Sequence, residues 1–220
     1  MAGLTSSTIG RKYAMALSAL FLLIFLILHL TTNFLSVLNR DAFNTASDFM
    51  GYNPMVQFLM QPILGFAVFF HFIMGFILEI KNRNARPVKY DANNPSSNST
   101  WMSRNMIISG AVVLAFLVLH FYDFWWHELD YKYVEGIAPD AERFWPELHE
   151  KFADVWRVAL YVIAFVLLGL HLAHGFQSSF QSIGARHPKY TPVIKALGKW
   201  YSILIPAGFI FIAIYHFVTQ

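Results

Sequence analysis

Apolar residues in this chain come in long unbroken runs, and the charges collect in the stretches between them. Five runs are long and apolar enough to cross about 30 Å of hydrocarbon as helices. They cover Tyr13–Leu38, Met55–Ile80, Arg104–Trp126, Val155–Phe180 and Trp200–Val218. Pro62 and Pro206 fall within or near the starts of spans, where neighbouring helices can satisfy the carbonyls a proline frees. There is no long internal repeat and no stretch that reads as a soluble domain, so residues 1–220 are expected to form one all-α transmembrane domain. Asn82–Ser103 reads as a polar loop, and Asn98-Ser99-Thr100 as a chance sequon match inside it. The first run follows Arg11-Lys12, is too long for the core of a cleavable signal and lacks a small-residue cleavage site. It is expected to be a retained first helix.

Composition agrees with a polytopic membrane protein: 56% hydrophobic and 13% charged residues, with a mean hydropathy of +0.46. The chain has no cysteine. That excludes disulfides, thiolate metal sites, iron–sulfur ligation by this chain and covalent haem attachment through C-x-x-C-H. Metal binding through nitrogen would fall to the nine histidines.

Charge sorts by loop. One side receives Arg11, Lys12, Lys81, Arg83, Arg86, Lys89, Arg104, Arg186, Lys189, Lys195 and Lys199, against only Glu79 and Asp91. The other side holds the remaining eleven acids, nine of them between Asp123 and Asp154, against five bases. The positive-inside rule makes the basic side cytoplasmic, with the N-terminus inside and the C-terminus outside. Such a basic face suits anionic lipid headgroups or an acidic partner subunit, and no nucleic-acid partner is expected.

Four of the five spans hold a histidine well inside the apolar run: His29, His71, His120 and His171. An imidazole in hydrocarbon is costly unless ligated or hydrogen-bonded. Counted from the outer end of each span, His29 and His120 lie about six to ten residues in, and His71 and His171 about fifteen to seventeen. Two layers result, roughly 10–15 Å apart along the membrane normal. Histidines facing each other at one depth suit bis-imidazole ligation of haem iron, so two layers imply two haems. His71 and His171 each begin an H-x-x-x-G-F stretch, with Gly75 and Gly175 one turn on and on the same helix face. A porphyrin needs such a gap, although glycine also mediates plain helix contact. His174, within a turn of His171, competes as a ligand. His216 is expected to be interfacial and partnerless, and His127, His149 and His187 to be loop residues without a role.

These histidines, with Ser18–His29, Ala67–Glu79, Gly110–His120 and His171–Gly184, resemble the cytochrome b anchor of the succinate dehydrogenase and fumarate reductase family. The likeness is to its two-haem, five-helix, single-anchor form and covers nearly the whole chain. The resemblance implies that His29 and His120 hold a distal haem b, and that His71 and His171 hold a proximal one. Gly175 and Gly184 match the family pattern around His171 rather than His174. Implied partners are a FAD flavoprotein and an iron–sulfur protein on the cytoplasmic side of a bacterial inner membrane, with quinone, usually menaquinone, as electron acceptor. Dicarboxylate chemistry would belong to those partners, and this chain would supply no catalytic residue for it. Whether such complexes form a higher oligomer stays open.

Quinone handling needs polar groups in an apolar cleft. Asp41, Asn44, Asp48 and Asp123 are the candidates, and each acid could equally be an ordinary loop residue in water. Trp125 and Trp126 are expected in the interfacial belt. Some fumarate reductases of this type place a glutamate two residues before the fourth-helix ligand. Gly169 stands there in this chain, which favours succinate oxidation. Rival readings are the haem-b subunit of a hydrogenase or formate dehydrogenase, and a haem-free transporter using histidines as a proton relay.

Overall fold

The computed structural model describes residues 7–84 and 105–220, and every regular element among them is helical. Seven helices follow in order: α1 (Thr8–Leu38), α2 (Arg40–Tyr52), α3 (Val56–Asn84), α4 (Met106–Val134), α5 (Phe144–Lys151), α6 (Val155–Ser182) and α7 (Thr191–Val218). Five of them, α1, α3, α4, α6 and α7, are long and apolar enough to cross a membrane, the make-up of a multi-pass membrane protein.

Each expected span is present and runs on at one or both ends. Asn82–Asn84, expected in a loop, finish α3. The rest of that loop, the sequon and the expected start of the third span at Arg104 lie outside the described residues. Helix α4 passes Trp126 by winding two wide π turns, Phe121–Trp126 and Asp130–Val134.

Two helices correct the expectation of plain loops. Asn39 ends α1 and starts α2, its side chain accepting from the Ala42 amide at 2.9 Å. Helix α5 then lies against α2, because the buried Asn44 binds both ends of the chain entering α5. Its amide donates to the Glu142 carbonyl at 3.2 Å, and its oxygen accepts from the Trp145 amide at 2.7 Å. Arg143 is buried between Glu128 and Glu147. Burial works against its charge, but the two carboxylates outweigh that and raise its pKa further, so it stays a cation. Together α2, α5 and the end of α4 cap one end of the bundle.

Lipid-length helices here are apolar outside as well as inside. Leu17, Ile24 and Leu28 on α1, and Phe66, Phe69 and Ile73 on α3, face outward and exposed. The core lies between α1, α6 and α7, around Leu23, Tyr161, Phe165, Leu172, Ile205, Phe209 and Ile212. Pro206 removes the amide that would bond the Ser202 carbonyl within α7. Gly169 of α6 packs onto that freed oxygen: a Cβ at 169 would sit 3.0 Å from it. Just past the end of α6, Gly184 has a positive φ of 86° that lets Ala185 N–H reach back to the Phe180 carbonyl at 3.0 Å.

Around the histidines, α1, α3, α4 and α6 form the four corners of a square. Helix α1 packs along α3 and α6, and α4 packs along α6 and, more lightly, α3. The diagonals α1–α4 and α3–α6 have no comparable backbone contact among the described residues.

Candidate functional site

Each open diagonal is bridged by one pair of imidazoles. His29 of α1 faces His120 of α4 with ring centroids 5.7 Å apart and planes crossed at 85°. His71 of α3 faces His171 of α6 at 6.4 Å and 77°. It is His171, not His174, that completes this second pair. All four histidines are half-buried.

The donor set can be tested for a metal centre. Two imidazoles sharing one iron, each through a bond of about 2 Å, have ring centroids roughly 6 Å apart. Both pairs stand at that spacing. No group of three or more His, Asp or Glu placed to hold a metal ion occurs among the described residues. A protein-only site for zinc wants at least three side chains, whereas a porphyrin brings its own four nitrogens and asks only for two. The residues present therefore fit haem better than a bare ion.

Polar neighbours set the tautomer of the His71–His171 pair. Ser18 Oγ donates to the Met15 carbonyl at 2.8 Å and lies 3.3 Å from His71 Nδ1. Ser109 Oγ does the same on α4, donating to the Met106 carbonyl at 2.9 Å and lying 3.4 Å from His171 Nδ1. Each hydroxyl proton is already used, so the serine can only accept from the ring. Nδ1 then carries the proton and Nε2 keeps the lone pair that ligates metal. Sequence reasoning missed both serines, although each sits on a histidine-bearing bundle helix.

The His29–His120 pair is held differently. His29 stacks on Phe25 at 5.2 Å, and Asn33 places its amide nitrogen 3.4 Å from Nδ1 while donating to the His29 carbonyl at 2.8 Å. His120 stacks on Phe116 at 5.7 Å, and its enclosed Nδ1 has no hydrogen-bond partner among the described residues. An orphaned imidazole nitrogen is costly in a buried place.

Of the glycines expected to make room, Gly175 has no atom within 4 Å of where a Cβ would stand, and Gly75 meets only the Met15 methyl at 3.5 Å. Gly110, not singled out from sequence, lies against the His171 ring, with Cε1 3.5 Å from its would-be Cβ.

The four expected quinone contacts separate. Asp123 is completely buried on the wide turn after His120, accepting from Tyr161 OH at 2.8 Å and pairing with Arg157 Nε at 3.3 Å. It is no loop acid in water. Tyr161 in turn lies edge-on to His120, 6.4 Å between ring centroids. Asn44 is buried but fully occupied in holding α5, as described above. Asp41 is exposed and Asp48 half-buried on α2.

Two further expectations are corrected. His216 is not interfacial or partnerless: it is fully buried, 2.9 Å from Ser36 Oγ and 3.1 Å from Nδ1 of His149. His149 belongs to α5 and stacks on Trp145 at 4.6 Å, and His127 is likewise helical. Folding α5 back over the bundle end creates this cluster, and that folding is invisible to span-by-span counting. Trp125 and Trp126 are half-exposed.

What stands here is a multi-pass helical membrane protein whose interior holds two imidazole pairs, each across a diagonal of four helices. No protein-family model, no curated protein and no solved structure matches this chain.

Proposed function

We propose that this chain is the dihaem cytochrome b anchor of a succinate:quinone oxidoreductase, carrying electrons between an iron–sulfur partner and a quinone. The observation behind the reading is the pair of crossed imidazole couples, 5.7 and 6.4 Å between centroids, spanning helix diagonals that leave room between them. His29 and His120 would hold the outer haem b, and His71 and His171 the inner one. Bound haem supplies reversible one-electron chemistry. Everything else follows from side chains of this protein. Ser18 and Ser109 keep the inner imidazoles in the ligating tautomer, Gly75 and Gly175 leave flat space one turn away, and Phe25 and Phe116 stack on the rings of the outer couple.

The basic end of the bundle is the cytoplasmic one in this reading, seating a FAD flavoprotein and the iron–sulfur subunit beside anionic lipid at a bacterial inner membrane. At the opposite end, quinone, as menaquinone, would find its proton-handling group in Asp123, the buried acid linked through Tyr161 to His120. Gly169 favours succinate oxidation as the working direction, and the packing explains its identity: a glutamate there would collide with the Ser202 carbonyl.

A reduced-minus-oxidised visible spectrum with haem quantification tests the proposal on the purified protein and its four single His→Ala variants. Two b-type haems per chain are expected. His29→Ala and His120→Ala lose the same one, and His71→Ala and His171→Ala the other. A wild-type protein that binds no haem overturns the reading.

A further inference from the structure

Away from both histidine pairs, the α6–α7 flank contains a groove of about 500 Å³. We propose that this groove binds one anionic phospholipid, with an acyl chain between α6 and α7 and the phosphate on Lys195 and Lys199. The inference requires only that the chain span a membrane and does not depend on haem.

Small residues make the groove deep. Gly169 and Ala173 line it from α6 and Ala207 from α7, so the two backbones form its floor rather than long side chains filling it. Its polarity is confined toward one end. Gln177 on α6, and Lys195 and Lys199 one turn apart on α7, flank the turn joining the two helices. Both lysines are exposed, and neither has an acidic partner among the described residues. Two unpaired ammonium groups at the mouth of an apolar slot complement a phosphate attached to hydrocarbon.

Depth agrees with that occupant. From Lys199 to Ile210, the innermost lining residue of α7, is eleven residues, about 16 Å of helix. One leaflet of hydrocarbon is about 15 Å deep. A chain reaching from the lysines to Ile210 therefore ends near the bilayer middle, while the flexible lysine stems keep their charges at headgroup level. The preference for an anionic head follows from charge: a choline headgroup brings a third cation to two already present.

Native mass spectrometry of the purified full-length protein in detergent tests this, titrating phosphatidylglycerol against phosphatidylcholine of identical chains. One phosphatidylglycerol is retained in preference to phosphatidylcholine. Lys195→Gln with Lys199→Gln weakens that retention by about 30-fold, roughly a factor of five per surface lysine, and abolishes the preference. Ala207→Phe, which fills the slot, lowers binding of both lipids alike. Inorganic phosphate at millimolar concentration does not displace the lipid, because the chain contributes too. Unchanged helical circular dichroism accompanies both variants, and the lysine pair, being exposed, gives the decisive result if Ala207→Phe fails to fold. Equal retention of the two lipids, undiminished binding by the lysine variant, displacement by phosphate alone, or a neutral isoprenoid or peptide retained in place of lipid would each overturn the proposal.

Discussion

At the scale of single residues, the site depends on protons that are already committed. Ser18 and Ser109 have each donated to a backbone carbonyl one turn back, which leaves them only lone pairs to offer a ring nitrogen. Replacing either with alanine orphans an Nδ1–H and makes the imidazole less electron-rich. If the proposed haem sits between His71 and His171, Ser18→Ala and Ser109→Ala weaken its retention by about tenfold or more and raise its midpoint potential. Haem content after extensive washing, and a potentiometric titration, read those two effects separately. Crossed ring planes of 85° and 77° carry a second consequence. Low-spin ferric centres so ligated give strongly anisotropic electron paramagnetic resonance signals, not the rhombic spectrum of parallel imidazoles. Asp123 is a further residue whose environment decides its effect. Asp123→Ala would leave the buried Tyr161 OH without its acceptor and the part-exposed Arg157 without its partner, and cost about 1–3 kcal/mol, seen as a lowered thermal unfolding midpoint in detergent. The four imidazoles were visible from sequence because a histidine in an apolar run is rare. Their serine and tyrosine partners were not, because a lone hydroxyl in a span carries no positional signal until helices are packed.

At the scale of elements, the long spans were legible and the short helices were not. A run of twenty or more apolar residues declares a helix by transfer energy alone. Helices α2 and α5 are short and polar enough to read as loop. Signals for α2 existed nonetheless: Asn39 is a capping residue at its start, and Asn53-Pro54 closes it. Helix α5 has no side-chain cap and is held through Asn44, far away in the sequence. The α6–α7 contact belongs to this scale as well. Gly169→Leu would force Pro206 and the Ser202 carbonyl away from α6, overpacking a site at a cost of about 1–3 kcal/mol, whereas Gly169→Ala costs less because its Cβ alone must be accommodated. Comparative thermal unfolding of the two variants checks the ordering.

At the scale of the whole molecule, the bundle gathers its charges at opposite ends. Lys12 and Tyr13 of α1 line one pocket with Ser178 and Ser182 of α6, and Ser18 beside His71 with Met15 beside Gly75 runs the start of α1 toward the end of α3, so these basic segments share one end. Acid-rich α2 and α5 close the other. With no native cysteine, single substitutions report orientation directly. Asp140→Cys is expected to react with a membrane-impermeant maleimide on intact cells, and Lys189→Cys only after permeabilisation. The reverse pattern would invert the proposed sidedness.

By itself the amino-acid order determined how many helices are long and apolar enough to cross a membrane and which four of them carry the paired imidazoles, because hydrophobic length and residue position are read along the chain. Only tertiary packing decided which side chains meet. That His216 is enclosed by Ser36 and His149, that Asp123 is buried, and that Ser18 and Ser109 hold the inner rings all depend on rotation about helix axes and on chain folded back over one end. Depth along a helix is additive in residue count, whereas its facing is set jointly by all the helices that surround it.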